Sequence, residues 1–151
     1  MVQMYECRLK KAGILRVADV AAGDSCLSGD EAARIGTALV RDVPHEQVWI
    51  LLLNGRNLLM GAVRLSEGGL HGAALRPADV FRPVMVAGAS AFVLIHNHPS
   101  GDPTPSAADL ELTRNLLGVS EPLGLHFLDH LVVTRDPAKY SSMRQIADLF
   151  D

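Results

Sequence analysis

Two histidines stand one residue apart at His96 and His98, and an aspartate follows at Asp109. Residues i and i+2 of an extended segment point to the same side, so both imidazoles can approach one ion. Asp109 falls in the first turn of a predicted helix, where the helix dipole favours an acidic side chain. Three protein ligands and one open position are typical of catalytic zinc, which lowers the pKa of a bound water to about 7. The spacing therefore predicts a catalytic metal site.

Each part of this pattern has a simpler interpretation. A single His-x-His pair is often only a hydrogen-bonded or surface feature, and Ser106 with Asp109 also forms an S-x-x-D helix cap. Asp102 is a rival carboxylate, but Gly101-Asp102-Pro103 favours a turn. The complete string is far more specific than its parts, and we favour metal binding.

Predicted strands and helices position these residues. A continuous apolar strand at 91–95 delivers His96 at its end, and a helix begins after Ser106. Upstream, the runs 47–53 and 58–65 surround an Asn-Gly loop and predict an antiparallel hairpin. The first run is apolar on both faces, so we expect it inside the sheet.

The remaining elements interleave strands with helices. They are predicted as a strand at 5–10, a helix at 31–40 capped by Asp30, a helix from Pro77 that contains Pro83, a strand at 125–133 and a helix at 143–150. This alternation predicts an α/β fold of about three layers around a mixed sheet.

Length and composition limit the function classes. With 151 residues we expect one domain over 1–151, comprising an N-terminal strand and helix at 1–43 and a motif-bearing core at 44–140. The net charge of −3 gives no general attraction to nucleic acid. Cys7 and Cys26 lack a metal-binding spacing. No signal peptide or membrane span is recognisable, so we expect a cytoplasmic protein with reduced thiols and no membrane partner.

The string HNHPSGDPTPS, followed by Asp109, resembles the JAMM (MPN+/JAB) metalloprotease motif. Arg76-Pro77 upstream and Leu128-Asp129-His130 downstream make it similar to the RadC branch of that family. The similarity covers about residues 44–140, and so long a motif is hard to reach by chance. RadC proteins commonly carry a helix-hairpin-helix module before this domain, and we expect none here because residues 1–42 are too short for it.

The resemblance implies a JAMM/MPN-like three-layer fold with a mainly antiparallel central sheet, and zinc (Zn²⁺) on His96, His98 and Asp109. It also implies a catalytic glutamate at the start of a core strand, a context that Glu46 has. Glu67 competes for that role, but Gly68-Gly69 after it suggests a loop. By the same resemblance, Ser106 would donate a hydrogen bond to the developing oxyanion.

Three other polar residues lie near the motif. Asn97 stands between the two histidines and should point away from the metal. His126 and His130 lie four positions apart and are expected on one strand face, as core or supporting groups.

Three functions follow from these residues. The first is a metallopeptidase or isopeptidase acting on a protein, a peptide or an isopeptide-linked conjugate. The second is a DNA-repair accessory or a metal-dependent nucleic-acid-processing enzyme, which the acidic charge does not support. The third is a non-catalytic MPN interaction module. No sequence feature sets the oligomeric state.

Overall fold

The computed structural model describes Gln3 and residues 20–67, 75–98, 100–146 and 149–150. Within these residues five strands form one sheet: β1 (Gln47–Leu53), β2 (Leu59–Glu67), β3 (Ala91–Asn97), β4 (His126–Val133) and β5 (Tyr140–Ser142). The order across the sheet is β2-β1-β3-β4-β5. Only the β3–β4 pair is parallel, and the other pairs are antiparallel. The prediction of a mixed, mainly antiparallel sheet is confirmed.

Helices cover both faces of this sheet. The described helices are α1 (Gly29–Val40), α2 (Pro77–Val86), α3 (Ala107–Ser120) and α4 (Met143–Ile146). Helix α1 packs on one face through Ala33 and Ile35. Helices α2 and α3 pack on the other face through Phe81 and Leu116. The α/β architecture predicted from the sequence is therefore present as helix, sheet and helix layers.

Strand β3 is buried along its whole length and contributes to both cores. Its residues alternate: Val93 and Ile95 face α1, whereas Phe92 and Leu94 face α2 and α3. Continuing this alternation places His96 on the α3 side, where the metal motif continues. On the opposite side, Gly36 lets α1 approach β3 closely, since a Cβ there would lie 2.9 Å from Ile95 Cγ2.

Several local predictions are confirmed. The antiparallel hairpin forms between β1 and β2, and β1 lies inside the sheet. Pro77 begins α2, with Pro83 inside that helix. Ser106 caps α3 and forms a capping box with Asp109.

Other local predictions need correction. Ser28, rather than Asp30, is the N-cap of α1, because the Ser28 hydroxyl accepts from the Glu31 N–H and the Glu31 carboxylate accepts from the Ser28 N–H. The predicted strand at 5–10 and Cys7 lie outside the described residues, and Cys26 is a buried free thiol. The C-terminal helix begins at Met143 as predicted, and residues 147 and 148 are not described.

Candidate metal centre

The two histidines of the motif converge at the end of β3. His96 is fully buried, whereas the side chain of His98, just beyond the strand, is 21% exposed. Their Nε2 atoms lie 3.1 Å apart. The Nδ1 atom of His98 lies 2.8 Å from the carbonyl oxygen of Asp102. A carbonyl can only accept, so this Nδ1 carries the proton and the Nε2 lone pair of His98 faces His96.

The first turn of α3 brings Asp109 to the same point. Its Oδ1 atom lies 3.2 Å from His96 Nε2, and its Oδ2 atom lies 3.9 Å from His98 Nε2. The capping box holds the carboxylate in place, because the Ser106 N–H donates to Oδ2 at 2.6 Å. Burial raises the pKa of Asp109, but the neighbouring His96 ring and the hydrogen bonds with Ser106 outweigh it and hold this pKa well below its usual value. Asp109 is therefore ionised and aimed at the histidine pair.

Glu46 lies immediately before β1 and is half-buried. Strand β1 pairs antiparallel with β3, with Val48 opposite His96, so the start of β1 lies beside the end of β3. One carboxylate oxygen of Glu46 and one nitrogen each from His96 and His98 lie within 4.8 Å of one another. Two carboxylates, Asp109 and Glu46, thus accompany the histidine pair.

The amide of Asn97 holds the backbone on either side of Glu46. Its Oδ1 accepts from the Gln47 N–H at 2.7 Å, and its Nδ2 donates to the His45 carbonyl at 3.0 Å. Asn97 is 3% exposed, so neither bond competes with bulk water. The expectation that Asn97 points away from the histidine nitrogens is met, and its contacts position the residue before β1.

A third histidine, His130, contacts the ring of His96. His130, on β4, is fully buried, and its Nε2 lies 2.9 Å from His96 Nδ1. Its Nδ1 lies 2.7 Å from Thr113 Oγ1, which also contacts the Asp109 carbonyl at 2.7 Å. Burial, and then the neighbouring His96, lower the pKa of His130 well below its usual value.

The sequence predicts His130 in part, as a core or supporting group, but gives no prediction for Thr113. The expected shared face of His126 and His130 is wrong, because Leu128 is an extra residue in β4 between the pairs Phe92–Phe127 and Val93–Asp129. Such a bulge reverses the alternation of side chains. His126 is exposed, whereas His130 is buried beside α3. The spacing of four between Asp109 and Thr113 was the available signal, since it places both on one helix face.

Asp129 does not support the His130 ring. Its carboxylate accepts from the Ser142 hydroxyl at 2.6 Å and from the His130 backbone N–H at 2.7 Å. Burial raises the pKa of Asp129. This side chain ties β4 to β5 rather than orienting a metal ligand.

The rival carboxylate of Asp102 lies outside the cluster. Asp102 is exposed, and its Oδ1 accepts from both the backbone N–H and the hydroxyl of Thr104. Only its carbonyl reaches the site, through His98. Glu67 ends β2, and its side chain is not among the described ones. Of the three candidate carboxylates Asp102, Asp109 and Glu46, only the last two lie at the histidines.

The donor set is one that zinc takes. Two imidazole nitrogens and a carboxylate oxygen are ordinary zinc ligands. Ligand atoms bound tetrahedrally at about 2.0–2.1 Å lie about 3.3–3.4 Å from one another. The separations of 3.1 Å between the two Nε2 atoms and 3.2 Å between His96 Nε2 and Asp109 Oδ1 are close to that spacing.

The mixed α/β fold and the cluster of histidines and carboxylates at the end of β3 are features of a metal-dependent hydrolase-like domain. Residues 27–148 match the family described as RadC-like JAB domain, and the chain belongs to that family. No helix among the described residues is long and apolar enough to cross a membrane.

Curated relatives agree with this assignment. A UPF0758 protein of Geobacter sulfurreducens is 42% identical over 93 residues, covering 62% of this chain and 41% of the relative. A UPF0758 protein of Desulforudis audaxviator is 35% identical over 115 residues, or 76% and 49% of the two chains. One from Flavobacterium johnsoniae is 35% identical over 127 residues, or 84% and 55%. The chain thus spans about half the length of these relatives.

Proposed function

We propose that this domain is a zinc-dependent hydrolase that cleaves peptide or isopeptide bonds. The observation that carries the proposal is the convergence of two histidine nitrogens and the Asp109 carboxylate, whose mutual contacts are 3.1, 3.2 and 3.9 Å, with a second carboxylate, Glu46, beside them. One carboxylate can then bind metal while the other moves protons. A metal site with only structural purpose has no need of the second group.

His96, His98 and Asp109 would hold the ion. Asp109 is the better ligand of the two carboxylates, because it is 1% exposed and its orientation is fixed by the capping box. A zinc ion held by these residues would supply Lewis-acid polarisation of a carbonyl oxygen and would make a water acidic enough to attack near neutral pH.

Glu46 would act as the general base and acid. Its carboxylate takes a proton from the attacking water and returns it to the nitrogen of the leaving amine. The products are then a carboxylic acid and an amine, with no net change in the protonation of Glu46. The half-buried position of Glu46 suits this role, since the group must reach both the histidines and a substrate.

Ser106 would stabilise the developing oxyanion. Its Oγ accepts from the Asp109 N–H at 3.2 Å, which leaves the hydroxyl hydrogen to be donated elsewhere. The residue is exposed next to a ligand, so a substrate carbonyl could approach it. The cap and the oxyanion donor can thus be the same hydroxyl. The substrate class we propose is a protein or peptide, including conjugates joined through a lysine side-chain amide.

The decisive experiment distinguishes the role of Glu46 from that of Asp109. Wild type, Glu46→Gln and Asp109→Asn are purified without chelator, and bound zinc is measured by elemental analysis. Cleavage of a peptide library and of a lysine-linked isopeptide is measured in parallel. We expect Glu46→Gln to keep its zinc and to lose about 10²–10⁴-fold in cleavage rate. Asp109→Asn should lose the zinc.

Each result has a clear reading. Loss of zinc in Glu46→Gln, with retention in Asp109→Asn, would reverse the two roles. Wild-type protein that binds zinc but cleaves neither substrate would refute the peptidase proposal. Metal-dependent nicking of a plasmid by that same protein would instead favour action on nucleic acid.

A further inference from the structure

The contacts behind His96 form a short chain of hydrogen bonds. His130 is fully buried between His96 and Thr113, with heavy-atom distances of 2.9 Å and 2.7 Å. Thr113 is also fully buried and lies one helical turn after Asp109. No solvent is needed to complete these contacts, so the direction of each hydrogen bond depends on the protein groups themselves.

The Thr113 hydroxyl determines which group donates in each of these hydrogen bonds. Its hydroxyl has one hydrogen, and its Oγ1 lies 2.7 Å from the backbone carbonyl of Asp109. A carbonyl only accepts, so the hydroxyl hydrogen must lie between these two oxygens. The same Oγ1 must therefore accept at its other contact, and His130 Nδ1 must be the donor.

This assignment determines the protons on both rings. In its uncharged form an imidazole carries one proton, so His130 with Nδ1–H presents a lone pair at Nε2. That lone pair accepts from His96 Nδ1–H at 2.9 Å. The Nε2 lone pair of His96 is then directed at His98 and Asp109.

We infer that Thr113 and His130 are positioning residues that fix the tautomer of His96 for metal binding. The inference rests on the proposed zinc site and names the residues that make it bind well. The opposite order of protons would put a hydrogen on His96 Nε2, where it would block the ion. The series of hydrogen bonds joins two proposed ligands, because it begins at His96 and ends, through Thr113, at the backbone of Asp109.

His98 reaches the same tautomer by a simpler route. Its Nδ1–H donates directly to the Asp102 carbonyl, a group with no alternative direction. His96 faces a second imidazole, which could donate or accept, and Thr113 removes that ambiguity. A hydroxyl at position 113 is therefore the feature to test, and serine offers a matched control that keeps it.

The test combines a spectroscopic and a binding measurement. In ¹⁵N-labelled wild-type protein, long-range ¹H–¹⁵N correlation spectra report which nitrogen of His130 is protonated. Zinc affinity of wild type, Thr113→Val and Thr113→Ser is measured by competition with a chromophoric chelator. We expect Nδ1–H on His130 in wild type, and a zinc affinity that falls about 10–100-fold in Thr113→Val. Thr113→Ser should keep both the tautomer and the affinity within about threefold.

Three outcomes would be informative. Nε2–H on His130 in wild type would overturn the inference, as would equal zinc affinities in Thr113→Val and Thr113→Ser. Neither result would touch the proposed hydrolase activity. Wild-type protein with Nδ1–H on His130 but no measurable zinc binding would support the hydrogen-bond order and refute the proposed function.

Discussion

The metal centre has an inner half and an outer half that differ in how they are held. The inner half comprises His96 and Asp109, each at most 1% exposed, together with His130 and Thr113 behind them. The outer half comprises His98, Glu46 and Ser106, all of which retain solvent contact. Regular elements supply every inner residue, whereas loop ends and cap positions supply the outer ones.

The inner residues fix the geometry of the site, and the outer residues are placed to take part in the reaction. Buried hydrogen bonds with no competing water hold the inner ligands at fixed spacing. A substrate and its water must reach the other side, so the groups that exchange protons or contact a carbonyl have to remain accessible. We therefore expect substitutions in the inner half to lower the free energy of unfolding strongly as well as function, and substitutions in the outer half to reduce function at a smaller cost in stability.

The largest difference is expected between the two histidines. His96→Ala and His98→Ala should both abolish high-affinity zinc binding and hydrolysis, since each removes a ligand. His96→Ala should also lower the free energy of unfolding of the metal-free protein by about 2–4 kcal/mol, because it leaves a cavity and deprives His130 of its partner. His98→Ala should cost less than about 1 kcal/mol. Urea denaturation in the presence of a chelator measures both.

A matched control comes from the exposed histidine of β4, His126. His126→Ala removes an imidazole of the same size without touching the cluster, so zinc content and stability should stay near wild type. Equal destabilisation by His96→Ala and His98→Ala would show that the inner and outer halves do not differ in their contribution to folding.

Most of the fold is predictable from the sequence because its signals are local. Apolar runs and an Asn-Gly loop predict the β1–β2 hairpin, and Ser106 with Asp109 predicts the start of α3. The predicted N-cap of α1 is wrong. Asp30 and Ser28 are both good capping residues, and the capping box with Glu31 selects Ser28. Strand β5 has three residues and was not predicted, since its pairing depends on β4 alone.

The site was harder to predict from the sequence than the fold. His96, His98, Asp109 and Glu46 were named from spacing and resemblance, and the structure brings all four together. The supporting bonds join residues 17, 34 and 50 positions apart, which no local pattern encodes. The bulge at Leu128 also turns His130 to a face that simple alternation does not predict.

The next largest effect is expected at Ser106, in the outer half. Ser106→Asn keeps a side-chain acceptor for the α3 N-cap but removes the hydroxyl, whereas Ser106→Ala removes both functions. Hydrolysis should fall about 10²-fold in both variants if the hydroxyl stabilises the oxyanion. The free energy of unfolding should fall by about 1 kcal/mol in Ser106→Ala only. Full activity in a stable Ser106→Asn protein would leave Ser106 with the capping role alone.

The smallest effect is expected at Asn97, which links the two halves. Asn97→Asp keeps the acceptor for the Gln47 N–H but turns an oxygen toward the His45 carbonyl, so the backbone around Glu46 should shift. We expect roughly a tenfold loss of hydrolysis, with zinc affinity within about twofold of wild type, because neither Asn97 contact involves a ligand ring. Asn115→Asp, on the exposed face of α3, is the control for the added charge. If Asn97→Asp instead loses zinc and keeps its activity per bound zinc, the Asn97 amide serves the histidines rather than Glu46, and the two halves are not positioned separately.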